Sequence, residues 1–424
     1  MAGAHRGSAR GMIAEHSPSS DLGGRVSRLG RLGPLLTSIN FAWALCSAAG
    51  GTLLQALLAE QRGPGKVTAL ALITSVGAVI AVLSTVVAGA WSDRTRSRFG
   101  RRRPWILGGA LTSAAGLALT GVVAWLPMQV LAFAVFQGGL SVMLAGVGAL
   151  LPDQVAKAAL GRASACAGLG YLAGTAAGGM IASVAISVPA RGLLAVPWVL
   201  VAAAAILVAL VRDASSLDQP RQVLAGPVLL RLLLPPRDRD FLLAFVGRFC
   251  VILGLSVITF SQLYLFTDFL RVDTVAAAGH IALGTALLGV AAAVGTAGGG
   301  VLSDRLGRRR PLVVLASLLI AVGALPVAMT PSVSSLMSFY VVAGFGFGLY
   351  LSVDQALMVE VLPTSGDEAK ELAMLSVANS SPSVVAPLVA AAVVGLVGFR
   401  ALFLVAFVVA VSGGACVCVI RRVR

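Results

Sequence analysis

The chain has 424 residues, 58% of them hydrophobic and 12% charged, with a mean hydropathy of +0.94. That charge is too sparse to cover a water-soluble protein of this length, so the composition excludes an ordinary soluble enzyme and makes lipid the natural solvent. A formal net charge of +15 would suggest nucleic acid in a soluble chain, but no basic groove with interleaved aromatics is present and no nucleic-acid partner is expected.

The apolar runs are long enough to cross a hydrocarbon core of about 30 Å as helices, and they lack the period-two alternation of a barrel. Only helices and closed barrels satisfy their backbone in lipid, so an all-α polytopic membrane protein of about twelve spans is expected. Residues 1–33 are rich in Arg, Gly and Ser without an apolar core, and read as a disordered cytoplasmic tail. The expected spans are 34–58, 67–91, 105–125, 127–151, 163–188 and 193–211, then 241–267, 275–302, 312–329, 336–362, 372–397 and 402–420. A polar, Pro-containing stretch at 213–240 divides them into two six-helix bundles, 34–212 and 241–424.

Loop charge sets the orientation. Of the 32 Lys and Arg, 26 lie in the tail, the central stretch, the C-terminus and the loops after even-numbered spans. The opposite loops hold Arg62, Lys66, Arg191, Arg271 and Arg400, and Arg248 lies inside a span. The positive-inside rule then places both termini in the cytoplasm, with the plasma membrane as the expected location. Cys46, Cys166, Cys250, Cys416 and Cys418 lie in apolar spans without a CxxC, and read as small buried hydrophobes.

The chain repeats itself. Gly89-Ala90-Trp91-Ser92-Asp93-Arg94 followed by Gly100-Arg101-Arg102-Arg103-Pro104 returns as Gly300-Val301-Leu302-Ser303-Asp304-Arg305 followed by Gly307-Arg308-Arg309-Arg310-Pro311. The Leu-Pro pairs ending spans 4 and 10, Leu151-Pro152 and Leu362-Pro363, keep the same offset as Asp93 and Asp304. A parallel duplication of six helices is the pattern of a transporter whose halves rock around a site near the bilayer midplane. The chain contains no GxxxxGK[ST] phosphate loop, metal constellation or nucleophile triad, so neither ATP hydrolysis nor a cofactor is expected.

These loops resemble the signature of the major facilitator superfamily, G-x-x-x-D-R-x-G-R-R, and the resemblance covers the whole chain. The first copy, with four extra residues between Asp93 and Pro104, is similar to the loop of sucrose transporters and of the related glycoside–pentoside–hexuronide:cation symporters. The resemblance implies a monomeric secondary transporter of a small polar solute, a sugar or glycoside, coupled to a proton or sodium and working by alternating access. It also implies a latch for the outward-facing state, built from Gly89, Asp93, Arg94, Gly100, Arg101 and Asp153 and, in the second copy, Gly300, Asp304, Arg305, Gly307 and Arg308. An Asp at a helix end can accept from a neighbouring helix N-terminus, and the arginines can pair with acids such as Asp153 or with anionic lipid headgroups. A plain topology signal would also explain the arginines, but not the Asp.

The chain departs from its relatives in ways that leave direction and coupling open. Spans 1 to 3 hold no intramembrane acid, Ala134 stands where proton-coupled drug antiporters carry Arg, and Thr175 replaces the proline of their glycine motif. The run Gly170-x-x-x-Gly174-Thr175-x-x-Gly178-Gly179 also reads as small residues that let helices approach. An exporter of an amphipathic metabolite or drug is therefore a second reading. A membrane-embedded enzyme or receptor is a third, and it would need a catalytic domain or an intramembrane acid–histidine cluster that the sequence lacks.

A charge at the bilayer centre costs roughly 3 kcal/mol on insertion scales, so it should face the bundle interior and find a partner. Arg248 in span 7 and Asp354 in span 10 stand at similar depth, and a cavity-facing pair is expected; a structural role is the favoured reading and a substrate or coupling role the close alternative. In the resembled fold spans 1, 4, 7 and 10 line the cavity. Their further polar candidates are Asn40, Trp43, Gln55, Gln137, Gln262, Tyr264, Tyr350 and Gln355, each of which taken singly reads more readily as a helix-packing residue. Asn379 and Ser380 precede Pro382, which is expected to break span 11. His280, near the outer end of span 8, reads as an interfacial histidine or a proton site.

Overall fold

The structure, a computed structural model, describes residues 30, 32–92, 94–155, 159–211, 239–306, 309–361 and 368–420, without the side chains of 90, 151–154, 160, 304 and 355–377. Its elements are helices: α1 (Leu32–Arg62), α2 (Lys66–Ser92), α3 (Arg103–Val122), α4 (Leu126–Gln154), α5 (Leu160–Ala185) and α6 in two pieces (Pro189–Ala195 and Trp198–Leu210). The second set is α7 (Arg239–Thr259), α8 (Thr274–Leu306), α9 (Arg310–Met329), α10 (Val333–Val361), α11 (Glu368–Leu396) and α12 (Phe399–Cys418). The all-helical polytopic architecture expected from composition is what the chain adopts. The expected tail and the central stretch at 213–238 lie outside the described residues. Below, the end of the bundle where α1 begins is the terminal side, and the other end is the distal side.

Several helices outrun the hydrocarbon core. α8 has 33 residues, about 50 Å at 1.5 Å per residue, so Asp304 and Arg305 extend the helix past the expected end of its span. Chain reversals use the residues that permit them. Gly63, at φ +49°, opens the turn between α1 and α2, and Gly100, at φ +88°, lies in the loop before α3. An Arg-Pro pair then starts both α3 and α9, because proline at the first helical turn gives up no hydrogen bond. Arg102 Nη1 donates to Ser92 Oγ at 2.8 Å and Trp105 Nε1 to Thr95 Oγ1 at 2.6 Å, which fold the first motif loop onto the ends of α2 and α3.

Within each half, helices approach at small residues. A side-chain carbon at Gly170 or Gly174 would collide with the backbone carbonyl of Thr37 or Phe41, and one at Gly178 would sit 2.6 Å from that of Leu45. That glycine run is therefore the seam of α5 on α1. Gly344 and Gly348 do the same for α10 against Leu288 and Ala292 of α8. Where lipid offers no hydrophobic drive between helices, such contact surfaces supply the packing. Arginines also cap helix ends: Arg62 donates to the carbonyl of Ala124 beyond α3, and Arg400 to those of Ala328 and Met329 at the end of α9. Both guanidinium groups sit at the C-terminal ends of other helices, where unsatisfied carbonyls favour a cation.

Two expectations need correction. α11 is continuous through Pro382 and Pro387 and is not broken at Asn379. The break falls instead in span 7, which ends as a regular helix at Thr259 and resumes as one turn, Gln262–Tyr264, followed by a π-turn, Leu265–Phe269. Neither proline nor glycine stands at this break. Its cause is tertiary, as the site geometry makes plain.

Candidate functional site

Between the two halves lies a cavity of about 340 Å³, at the lower end of the range for small-molecule sites. The first half contributes Trp43, Ser47, Thr52 and Gln55 from α1, Thr74 from α2, Phe133 from α4, and Tyr171 and Thr175 from α5. The second half contributes Thr259, Phe260 and Gln262 around the α7 break and Thr285 from α8. Among the described residues, none of the side chains lining this cavity is charged.

The polar groups are arranged in a definite way. Trp43 and Tyr171 pack with ring centroids 5.3 Å apart. The Trp43 indole N–H is taken by Asn40 Oδ1 at 3.0 Å, and Asn40 Nδ2 donates to the Leu36 carbonyl at 2.8 Å. Asn40 thus orients the indole from behind and leaves its ring to the cavity. Thr52, Thr74, Thr175 and Thr259 donate to carbonyls one turn back on their own helices, which leaves their oxygens only acceptor capacity. The side chains of Gln262, Ser47 and Thr285 make no hydrogen bond among the described residues.

Gln55 explains the α7 break. Its Oε1 accepts the Leu263 backbone N–H at 2.9 Å, and its backbone carbonyl accepts the Tyr264 hydroxyl at 2.9 Å. Interrupted backbone at membrane depth survives where protein groups satisfy it. Just distal, Lys66 Nζ pairs with Asp268 at 2.8 Å and lies 4.8 Å over the Tyr264 ring. Phe266 stacks on His280 at 5.7 Å. Ser75 Oγ on α2 donates to the Val384 carbonyl on α11 at 2.8 Å, and Gly179 on α5 abuts Ala282 on α8. The halves are therefore tied together at and distal to the cavity. On the terminal side, a carbon added at the motif glycines Gly89 and Gly300 would meet no described atom within 4 Å.

Arg248 and Asp354 do pair, Nη1 to Oδ2 at 3.1 Å, and the Tyr350 hydroxyl donates to Asp354 Oδ1. Their side chains are 12% and 3% exposed. Both carboxylate oxygens are satisfied, while Arg248 Nε is buried without a partner among the described residues. The expected cavity-facing placement needs correction: neither residue lines this cavity. Arg248 lies 11 residues before Thr259, roughly 16 Å along α7 toward the terminal side. The pair is sunk into the second half, because two charges in a poorly solvated interior are held by each other and a hydroxyl more cheaply than alone.

The remaining candidates scatter. Gln137 is half-buried and packs its stem against Gly77 of α2; Tyr264 is fully buried; Asn379 is exposed on α11 and lines no part of the cavity. In the motif loops, Arg94 and Arg101 are half-buried and Arg305 is exposed. Asp93, Gly307 and Arg308 lie outside the described residues, as do the side chains of Asp153, Asp304, Gln355 and Glu360. In the sequence Lys66 and Asp268 each read as a loop charge. The one available signal is that Asp268 is the sole acid between Arg248 and Arg271. Tyr171 and Thr175 were hidden in a glycine run that reads as packing.

Two sets of six helices enclose an uncharged cavity of solute size among the described residues. The Major Facilitator Superfamily profile matches residues 35–296 and 244–424, and the chain belongs to that superfamily of secondary transporters. Its fold is similar to the crystal structure of a nucleoside transporter, NupG (TM-score 0.74, 13% identity, covering 92% of this chain and 99% of that one). It is likewise similar to a POT family transporter in complex with 5-aminolevulinic acid (TM-score 0.72, 12% identity, covering 92% and 96%). At such identities the likeness speaks for the fold alone. No significant match was found among curated proteins.

Proposed function

We propose that the protein is a cation-coupled transporter of a small, uncharged polar solute, a sugar or glycoside, in the plasma membrane with both termini cytoplasmic. The observation that carries the solute class is the cavity lining. Two amides, several hydroxyls and the ring of Trp43, with no charge among them, suit a solute that offers hydroxyl groups on one side and an apolar face on the other. An amphipathic cation would find no counter-charge there. The spacing of the first motif loop supports the sucrose and glycoside symporter branch, and the loop charge supports the orientation. In that orientation the described conformer is closed to the outside.

Coupling falls to Asp354, the buried acid of α10, with Arg248 competing for it and Tyr350 holding it. Protonation of Asp354 would neutralise the carboxylate and release Arg248, so the proton carried by Asp354 and the Arg248 guanidinium compete for one carboxylate within the second half.

Uptake into proteoliposomes, against a panel of neutral glycosides, nucleosides, anions and amphipathic cations, tests this with imposed proton and sodium gradients. Uphill uptake of a neutral glycoside is the expected result. Transport confined to amphipathic cations, in exchange for protons, would replace this reading with the exporter.

A further inference from the structure

We infer that Gln55 is shared between solute and gate: its carbonyl oxygen fastens the broken α7 against α1, and its NH2 group is the donor offered to an oxygen of the solute. The solute half of this rests on the reading above; the fastening half does not. Of the two ends of a glutamine amide only the oxygen accepts, so the bond from the Leu263 N–H fixes which way the Gln55 amide points. With Oε1 turned to Leu263, Nε2 is left with no protein acceptor among the described residues, and Gln55 lines the cavity. The residue is only 8% exposed, so this donor is fixed in direction before a solute arrives.

The same residue closes the distal path. Leu263 lies immediately after Gln262, a cavity residue, and Tyr264 immediately before the π-turn that carries Asp268. If the halves part on the distal side, the Leu263 N–H loses its only described acceptor, because the α7 break has removed its helical one. Restoring it requires α7 to re-form through Ser261, whose hydroxyl is buried and unpartnered among the described residues. The Lys66–Asp268 pair is by contrast 17% and 32% exposed, and partly solvated pairs hold weakly. The fastening is therefore Gln55 and not the ion pair. A solute that hydrogen-bonds Nε2 stiffens the amide that holds the gate, which makes occupancy and distal closure favour one another.

The test uses the full chain, free of its five cysteines, with Thr285→Cys as a reporter on the cavity wall. A membrane-impermeant methanethiosulfonate is applied from the distal side. Gln55→Met, which removes the acceptor, is expected to speed labelling about tenfold, the effect of one orphaned buried donor. Lys66→Met should speed it less than threefold. Gln55→Glu keeps the acceptor and removes the amide donor, so labelling should stay at the parental rate. For the neutral glycoside that proves to be transported, half-saturation should rise at least tenfold in Gln55→Glu. Unchanged labelling in Gln55→Met, or a larger effect from Lys66→Met, overturns the fastening. Parental half-saturation in Gln55→Glu overturns the solute contact. If no glycoside is transported, the function proposed above fails while the labelling arm still decides the gate. A native melting temperature in each variant excludes misfolding as the cause of faster labelling.

Discussion

The Arg248–Asp354 pair gives the sharpest prediction, because its geometry fixes what each substitution leaves behind. Asp354→Asn keeps an oxygen for the Tyr350 hydroxyl and strands the Arg248 cation; Arg248→Gln strands a carboxylate with Tyr350 alone. With side chains 12% and 3% exposed, solvent screens neither remaining charge effectively. Breaking a buried pair costs about 3–5 kcal/mol, and 3 kcal/mol is about a hundredfold in an equilibrium constant. Each single variant should therefore lose several degrees of thermal stability in detergent and most uphill uptake. The double neutral variant leaves no orphan charge and should regain parental melting. If the pair is purely structural, uphill uptake returns with it. If Asp354 carries the coupled proton, the double variant stays dead for uphill uptake yet still exchanges solute across the membrane, since exchange moves no net charge. Thermal melting, uphill uptake and exchange, measured on all four members, separate these cases. Parental melting and full uphill uptake in both single variants would refute the reasoning.

Three further outcomes are expected. Cysteine probes at Ser20 and Ser216 should resist an impermeant reagent applied outside while one at Gly63 reacts; a reactive Ser216 would overturn the orientation and the two-half plan. Asp93→Asn should lower turnover with membrane abundance near normal, and adding Asp304→Asn should lower it further; unchanged turnover would reduce the motif to a topology signal. Gly174→Leu should cost at least about 1–3 kcal/mol by overpacking against the Phe41 carbonyl and cut the yield of folded protein, whereas Gly89→Ala, which meets open space, should leave yield unchanged in size-exclusion profiles.

Much of this protein was legible in its sequence because lipid imposes rules that are nearly one-dimensional. A backbone in hydrocarbon must bond to itself, so apolar runs become helices whatever their neighbours; Arg-Pro after each motif copy starts the next helix, and the common offset of Asp93 and Asp304 reveals the duplication. Even the pairing of Arg248 with Asp354 follows from two opposite charges at one depth. What the sequence left undecided was which face of each helix meets which other. The run from Gly170 to Gly178 reads as a packing stripe, but only the folded chain shows Tyr171 and Thr175 turning from that stripe into the cavity. The break in α7 had no local mark, since Ser261 and Gln262 are ordinary helical residues; it exists because Gln55, more than 200 positions earlier, takes the hydrogen bond that the helix gives up. Pro382 marked a break that α11 does not make, because a helix packed along its length can absorb a missing N–H. Contacts between the halves, Lys66 with Asp268 and Gln55 with Leu263, depend on how two bundles meet, and no local pattern in a chain encodes the meeting of surfaces so far apart along it.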